Sequence, residues 1–278
     1  MIKIEPDEFN IIAKYIRSIS GISLDQKKAY LIESRLKNLI KEFGCSSYWE
    51  LYRKAKSDTG KSLETRIIDA ITTNETLFFR DRWPFELLQH KILPDLIEMR
   101  AAKSSGAFPI RIWCAACSTG QEVYSIAMLL KESLPDLQKY DITLMGTDIS
   151  ATAIVQANSG IYNQFEIERG LTRDRVKRYF SPLGNNWKIR DDIRAMATFR
   201  THNLMLPLYS SGMFDIVFCR NVSIYFNPEN QKKLFYKIAD VMGRDAYLII
   251  GSTESVVGVC PRFEPGRYLR SFFYQLKN

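Results

Sequence analysis

The chain has 278 residues, enough for about two domains at the usual ~150 residues each. Hydrophobic residues make up 46% and charged residues 25%, which excludes a mainly disordered chain. Lys and Arg number 39 against 31 Asp and Glu, so the net charge of +8 invites an anionic partner: nucleic acid, an acidic membrane face or an acidic protein.

Residues 7–70 read as helical throughout. Phe9, Ile12, Ile16 and Ile19 recur at helical spacing, with Asp7 as N-cap and Gly21 as stop. Asp25 opens a second helix, with Leu31, Leu36, Leu39 and Ile40 on its apolar side and Lys27, Lys28, Arg35, Lys37 and Lys41 on the other. Helical patterns follow at 46–56 and 61–71, and no strand signal appears in this stretch. Residues 83–103 form a further amphipathic helix, and Ser104-Ser105-Gly106 a loop.

From there the pattern alternates. Strands are expected at 110–113, 142–147, 197–201, 214–219, 247–250 and 272–276, and helices at 121–134, 150–158 and 228–242. This alternation predicts an α/β fold around a doubly wound, mostly parallel sheet, which binds ligands at the carboxyl ends of its strands. Residues 160–195 break the alternation. Their turn residues Pro182, Gly184, Asn185 and Asn186 point to an inserted excursion with short antiparallel strands.

The strand ends carry the chemistry. Ala115 to Gly120 is a run of small residues before a helix, where a ligand can approach backbone N–H groups, although G-x-G-x-x-G is absent. Asp148 ends the second strand, placed either to accept from both hydroxyls of a ribose or to cap the next helix, a task open to Ser150 as well. Asn203 and Asn221, at two more strand ends, suit an adenine edge or a carboxylate, or serve as turn residues. Several polar strand ends together favour a nucleoside-containing cofactor.

Five cysteines (Cys45, Cys114, Cys117, Cys219, Cys260) and no secretory leader suggest free thiols in the cytosol. Cys114-x-x-Cys117 lacks a second ligand pair, since the two histidines, His90 and His202, are not ligand-spaced, so no metal is expected. No stretch is long and apolar enough to suggest membrane insertion. A nucleic-acid substrate is disfavoured by the absence of a basic stripe with interleaved aromatics and of a run of five like charges.

Thr73-Asn74-Glu75-Thr76-Leu77-Phe78-Phe79-Arg80 resembles the T-N-x-T-x-F-F-R signature of the chemotaxis receptor methyltransferases, the CheR family. Trp113 to Ser125 is similar to that family's W-x-A-(G/A)-C-S-T-G-E-E-P-Y-S. Thr147 to Ser150 and Ser159 to Tyr162 resemble its S-D-I-(D/S) and S-G-x-Y. Phe214 to Phe226 resembles F-D-(L/I)-I-F-C-R-N-V-L-I-Y-F, and Gly251 to Ser255 resembles G-H-S-E-S. The matches run in family order over nearly the whole chain. Gln121 and Val123 depart from the family's Glu and Pro, and Thr253 stands in a stretch that lacks the family's His.

The resemblance implies a helical recognition domain over 1–80 and a Rossmann-like class I methyltransferase domain over 81–278, with a β-subdomain near 160–195. It implies S-adenosylmethionine as cofactor, S-adenosylhomocysteine as product, and transfer to glutamates on cytoplasmic helices of methyl-accepting chemotaxis receptors, by a monomer. Carried over, Asn74, Thr76 and Arg80 hold the methionine part, with Arg80 pairing its carboxylate. Glu122 meets the amino group, Asp148 the ribose, and Asn203 and Leu204 the adenine. Arg220, Asn221 and Tyr225 line the methyl-transfer face, with Arg80 and Tyr225 catalytic, and Lys27, Lys28, Arg35 and Lys37 meet the acidic receptor helix. Read as residues alone, Tyr225 also suits a core position and Arg80 a helix C-terminus. A methyltransferase of another motility or signalling system, or a catalytically weak cofactor-binding module, would share these features. Pro182–Trp187 shows no glycine-rich loop of the kind that would dock a receptor tail.

Overall fold

The computed structural model describes residues 2–101, 108–134, 136–208 and 212–277. The Ser104-Ser105-Gly106 loop and the end of the preceding helix lie outside them. The N-terminal part is four helices: α1 (Pro6–Ser20), α2 (Ala29–Glu42), α3 (Tyr48–Ser57) and α4 (Ser62–Ile71). Their apolar stripes meet in one core of Phe9, Ile12, Ile16, Ile32, Leu36, Leu51, Leu63 and Ile67. Most of the helix-spaced residues are thus buried; Ile19 and Leu31 are half-buried, Leu31 at the cavity, and Ile32 takes the core place beside it. Three local expectations shift. Glu5, not Asp7, is the N-cap of α1, because Pro6 occupies the first turn, where its missing N–H costs nothing. After Asp25 a single 3₁₀ turn (Gln26–Lys28) precedes α2. The stretch also carries one strand-like contact, an antiparallel bridge between Ile22 and Phe226.

Helix α5 (Trp83–Leu87) runs through a π-type turn (Leu88–Ile92) into α6 (Leu93–Ala101). The remaining elements are β1 (Phe108–Ala115), α7 (Gln121–Ser133), β2 (Tyr140–Asp148), α8 (Ala151–Ser159), β3 (Ile161–Asn163), α9 (Gln164–Glu168), α10 (Arg173–Tyr179), β4 (Phe180–Leu183), β5 (Asn186–Ile189), α11 (Asp191–Arg194), β6 (Ala197–Thr201), β7 (Phe214–Cys219), α12 (Pro228–Asp240), β8 (Met242–Ile250), β9 (Phe263–Tyr268) and β10 (Ser271–Leu276). The main sheet has the order β6-β2-β1-β7-β8-β10-β9. β1, β2, β6, β7 and β8 are parallel, and β10 and β9 close the edge antiparallel. β7 and the second half of β1 (from Ile112) are buried on both faces, so they read as apolar runs rather than alternations. The doubly wound sheet is as expected. Strand β9 escapes sequence reading because Pro265-Gly266 looks like a turn, and such residues are tolerated at an edge.

The excursion holds a three-stranded antiparallel sheet, β3-β5-β4, with the tight turn Gly184-Asn185 joining β4 and β5. It also holds α9, α10 and α11, which the charged sequence masks. The insertion leans on the 73–80 loop. Phe78 is fully buried and meets Tyr162 and Phe180 edge-on at 5.0 and 5.5 Å, and Arg175 lies 3.7 Å over the Phe79 ring. Phe78 therefore belongs to the core of the sheet rather than to that of the helical bundle.

Candidate active site

The chain builds outward from β1 to β2 and β6 on one side, and to β7 and β8 on the other. The order therefore switches between β1 and β7, where a crevice opens at the carboxyl ends. Three left-handed residues, Ala116 (φ 61°), Ser118 (φ 51°) and Gly120 (φ 94°), alternate along the turn after β1. That alternation curls the backbone into a concave, N–H-lined nest ahead of α7. Gly120 also has contact reasons to be glycine, since a Cβ there would lie 3.0 Å from the Ala157 side chain.

Asp148 is 7% exposed and closes the crevice from β2. Its carboxylate accepts from Ser118 N at 2.8 Å and Ser150 N at 2.9 Å, leaving further lone pairs for a ligand. Burial raises its pKa above the ordinary range, against the lowering effect of those backbone donors. Capping of α8 is done by Ser150, which accepts from Ala153 N, so Asp148 is not the cap. Ser150 also donates to Asp69 on α4 at 2.8 Å, tying the helical bundle to this wall.

Across the crevice, Arg220 leaves the end of β7 with a side chain only 3% exposed. It pairs with Glu122 at 2.8 Å and Asp81 at 2.8 Å, and donates to the Arg80 carbonyl at 2.8 Å. Burial raises the pKa of Glu122, and the facing Arg220 opposes that shift. A pair held this way is costly to break, because either partner alone is left charged out of water. Arg80 itself donates to the Glu75 carbonyl at 2.8 Å. It lies in no helix, and its neighbours Phe79 (φ 51°) and Asp81 (φ 56°) are both left-handed, so its placement comes at a cost in backbone strain. Of seven non-glycine residues with positive φ among the described residues, Ala116, Ser118 and Asn221 line this crevice, and Phe79 and Asp81 flank its Arg80.

The third wall comes from the helical bundle. Ser20, Ile22, Ser23, Leu24, Lys28, Leu31 and Arg35 line the same cavity, with Thr72 to Thr76. The 21–24 segment is strapped across the Arg220–Tyr225 side: Ser23 N donates to the Tyr225 carbonyl at 2.9 Å, and Asn230 Nδ2 to the Gly21 carbonyl at 3.1 Å. Tyr225 is half-buried at the end of a 3₁₀ turn and faces the cavity while packing on the apolar cluster behind it.

All nine residues expected at the cofactor, Asn74, Thr76, Arg80, Glu122, Asp148, Asn203, Leu204, Arg220 and Asn221, line this one cavity with Tyr225. One expectation widens and another changes in kind. The Asn203 amide donates to the Ile19 carbonyl at 2.8 Å and accepts from Met205 N at 2.9 Å, so it also forms the turn and fixes the bundle to this wall, keeping one N–H and one lone pair for the cavity. Arg35 donates to the carbonyls of Ile71 and Thr72 and to Thr73 Oγ1, finishing α4 instead of reaching outward. Lys28 stands at the cavity, whereas Lys27 and Lys37 do not line it. The departures fall away from the cavity: Gln121 is buried and accepts from Thr119 Oγ1 at 2.7 Å, Val123 is in the core, and Thr253 is exposed. Sequence reading missed Ser118, Asp81 and Ser23. Ser118 sits inside the quoted turn, but nothing local marks Ser23, whose partner lies about 200 residues away.

The five cysteines are free and buried, and burial pushes the Cys114, Cys117 and Cys219 thiols well up, which makes them poor nucleophiles. Among the described residues no cluster of side chains suits a metal ion, and no helix is long and apolar enough to cross a membrane.

Comparison with known proteins agrees with this layout. Residues 7–72 match the model of the CheR methyltransferase all-alpha domain, and residues 74–267 that of the CheR methyltransferase SAM binding domain. The chain is 38% identical over 280 residues to chemotaxis protein methyltransferase 1 of Vibrio cholerae, covering 99% of each. It is 36% identical over 280 residues to a chemotaxis protein methyltransferase of Vibrio parahaemolyticus, again covering 99% of each. Identity to the chemotaxis protein methyltransferase of Borreliella burgdorferi is 35% over 259 residues, covering 92% of this chain and 91% of that one.

Proposed function

Since the chain belongs to the CheR methyltransferase family and is an S-adenosylmethionine-dependent methyltransferase of the chemotaxis type, we propose that its substrates are glutamate side chains on the cytoplasmic helices of chemoreceptors, which it converts to γ-methyl esters. The observation that carries this reading is the convergence of Arg80, Glu122, Asp148, Arg220 and Tyr225 on one crevice that has no histidine in its lining. A glutamate is already ionised near neutral pH, with a reference pKa of about 4.3, so a site for it needs alignment and dryness rather than a general base.

The residues present fit the cofactor. Ser23 Oγ and Arg220 Nε are buried without a partner, Asp148 keeps free lone pairs, and the turn from Ala116 to Gly120 offers N–H groups with little side chain in the way. When bound, S-adenosylmethionine supplies an electrophilic methyl on a sulfonium. Asp148 would hold the ribose hydroxyls, Glu122 the amino group, Thr76 and Arg80 the methionine end, and Leu204 an adenine face. Tyr225 and Arg80 would orient the incoming carboxylate. Orientation must stay loose, because a tight clamp would stabilise the ground state as much as the transition state.

The test is transfer of labelled methyl from S-adenosylmethionine to a receptor cytoplasmic fragment. Label released by mild base identifies an ester. Base-stable label, or none, overturns the substrate assignment.

A further inference from the structure

Behind the Arg220–Tyr225 segment, outside the cavity, a single carboxylate collects five donors. Glu254 Oε2 accepts from Asn221 N at 2.6 Å and from Gly251 N at 2.8 Å. Glu254 Oε1 accepts from Val222 N at 3.1 Å, Ser223 N at 2.8 Å and Ser223 Oγ at 2.7 Å. Three consecutive N–H groups converge on one point only if the backbone curls around it, and the left-handed Asn221 (φ 56°) makes that curl. The approach also dictates Gly251: a Cβ there would lie 2.6 Å from Glu254 Oε2 and 3.0 Å from Asn221 N.

The same segment is tied from its other side by neutral bonds. Gln231 Nε2 donates to the carbonyls of Ser223 and Phe226 at 2.9 and 3.2 Å, and Ser23 N donates to that of Tyr225. Hydrogen bonds to a charged acceptor are about twice as strong as neutral ones, so the carboxylate is the stronger anchor. Its load is the turn that aims Arg220 at Glu122 and Tyr225 at the cavity.

We propose that Glu254 is a positioning residue for methyl transfer, acting through the backbone of residues 221–223 and touching neither cofactor nor substrate. The inference rests on the reading of Tyr225 and Arg220 given above. Glu254→Gln keeps the shape but sets an amide NH₂ against N–H donors.

The test has two arms. In the first, amide exchange of residues 221–225 in Glu254→Gln is expected to quicken at least about tenfold, with the main sheet unchanged. In the second, kcat with a receptor cytoplasmic fragment is expected to fall about ten- to a hundredfold while the dissociation constant for S-adenosylhomocysteine moves less than about threefold. The drop should shrink in a Tyr225→Phe background, because both changes then act on one placement. Unchanged exchange overturns the proposal, as does a parallel loss of kcat, affinity and global stability. If the wild type methylates no receptor fragment, the functional reading fails and the exchange arm still decides the role of Glu254. If Glu254→Gln does not fold, Ser223→Ala, which removes one of the five donors, is read by the same two arms.

Discussion

The two long walls of the crevice are built on different length scales. The Asp148 carboxylate is held mainly by its own strand end and the β1 turn: Ser150 N donates to it at 2.9 Å and Ser118 N, thirty residues away, at 2.8 Å, with Asp69 reached only through Ser150. The Arg220–Tyr225 wall is assembled from afar, by Glu122, Asp81, Glu254 and, across the domain junction, Ser23. The first wall suits binding a constant ligand. The second carries its aim on contacts that other parts of the molecule can disturb, which suits a step that must answer to how the substrate helix is seated.

The harshest way to break the second wall is Arg220→Ala. It strands the buried Glu122 carboxyl, leaving it the Cys114 thiol and the weaker field of Arg80. Loss of one partner of a buried pair costs about 3–5 kcal/mol, so a fall of that size in urea unfolding is expected. A fall below about 1 kcal/mol would mean that water or Arg80 takes over the charge. For the first wall, if Asp148 holds the ribose as proposed, Asp148→Ala removes hydrogen bonds to a charged acceptor worth about 1.5–3 kcal/mol, so cofactor affinity by calorimetry should drop about ten- to a hundredfold.

The same wall has a pH signature. Protonation turns one Asp148 oxygen from acceptor into donor, so the ionised form serves its two backbone donors and the proposed ribose best, and burial raises its pKa. Acidification therefore protonates it early, and affinity for S-adenosylhomocysteine should fall as pH drops, starting above the range in which exposed aspartates titrate. Glu122 is shifted in the same direction. Asp148→Asn should lose less affinity on acidification than the wild type does. Equal loss would move the titration to Glu122.

The contrast between the walls also accounts for what the sequence revealed. Helical spacing placed Ile12, Ile16 and Leu36 in one core, and apolar runs placed β1 and β7, because those signals are periodic and local. Asp148 was legible because a strand end fixes it. Glu254, Ser23 and Asp81 were not, because their partners are brought to them only by the fold. Asn203 was legible as a polar strand end, yet its amide faces Ile19 of a different domain. Edge strand β9 hid behind Pro265-Gly266, and the left-handed residues Phe79, Asp81 and Asn221 carry no composition signal, since strain is imposed by context.

Gly21 tests the junction between the walls. Its φ is +81°, and an added Cβ would meet Met205 Cγ at 2.7 Å and the Phe226 ring at 3.2 Å. The clashing Met205 Cγ lies close to a backbone held by Asn203 and Lys237, so the clash adds to the left-handed penalty and Gly21→Ala should cost at least about 1–2 kcal/mol in unfolding. Through Ser23 and Tyr225 it should lower kcat as well. Loss of stability with kcat intact would make the 21–24 strap a mere hinge cover rather than part of the second wall.

The smallest effect is expected farthest from both walls. Lys27 is exposed at the 3₁₀ turn before α2, outside the cavity, while Lys28 next to it lines the cavity edge. If this corner meets an acidic receptor helix, Lys27→Glu should raise the KM for a receptor fragment about two- to fivefold, because a rim charge steers association more than it holds the complex. The effect should fade at about 0.5 M salt, where the screening length is only a few ångströms. Neither crevice wall is touched, so the dissociation constant for S-adenosylhomocysteine is expected to stay put. A change in KM that survives high salt would place Lys27 in a close, desolvated contact instead, and no change at all would leave this face to solvent.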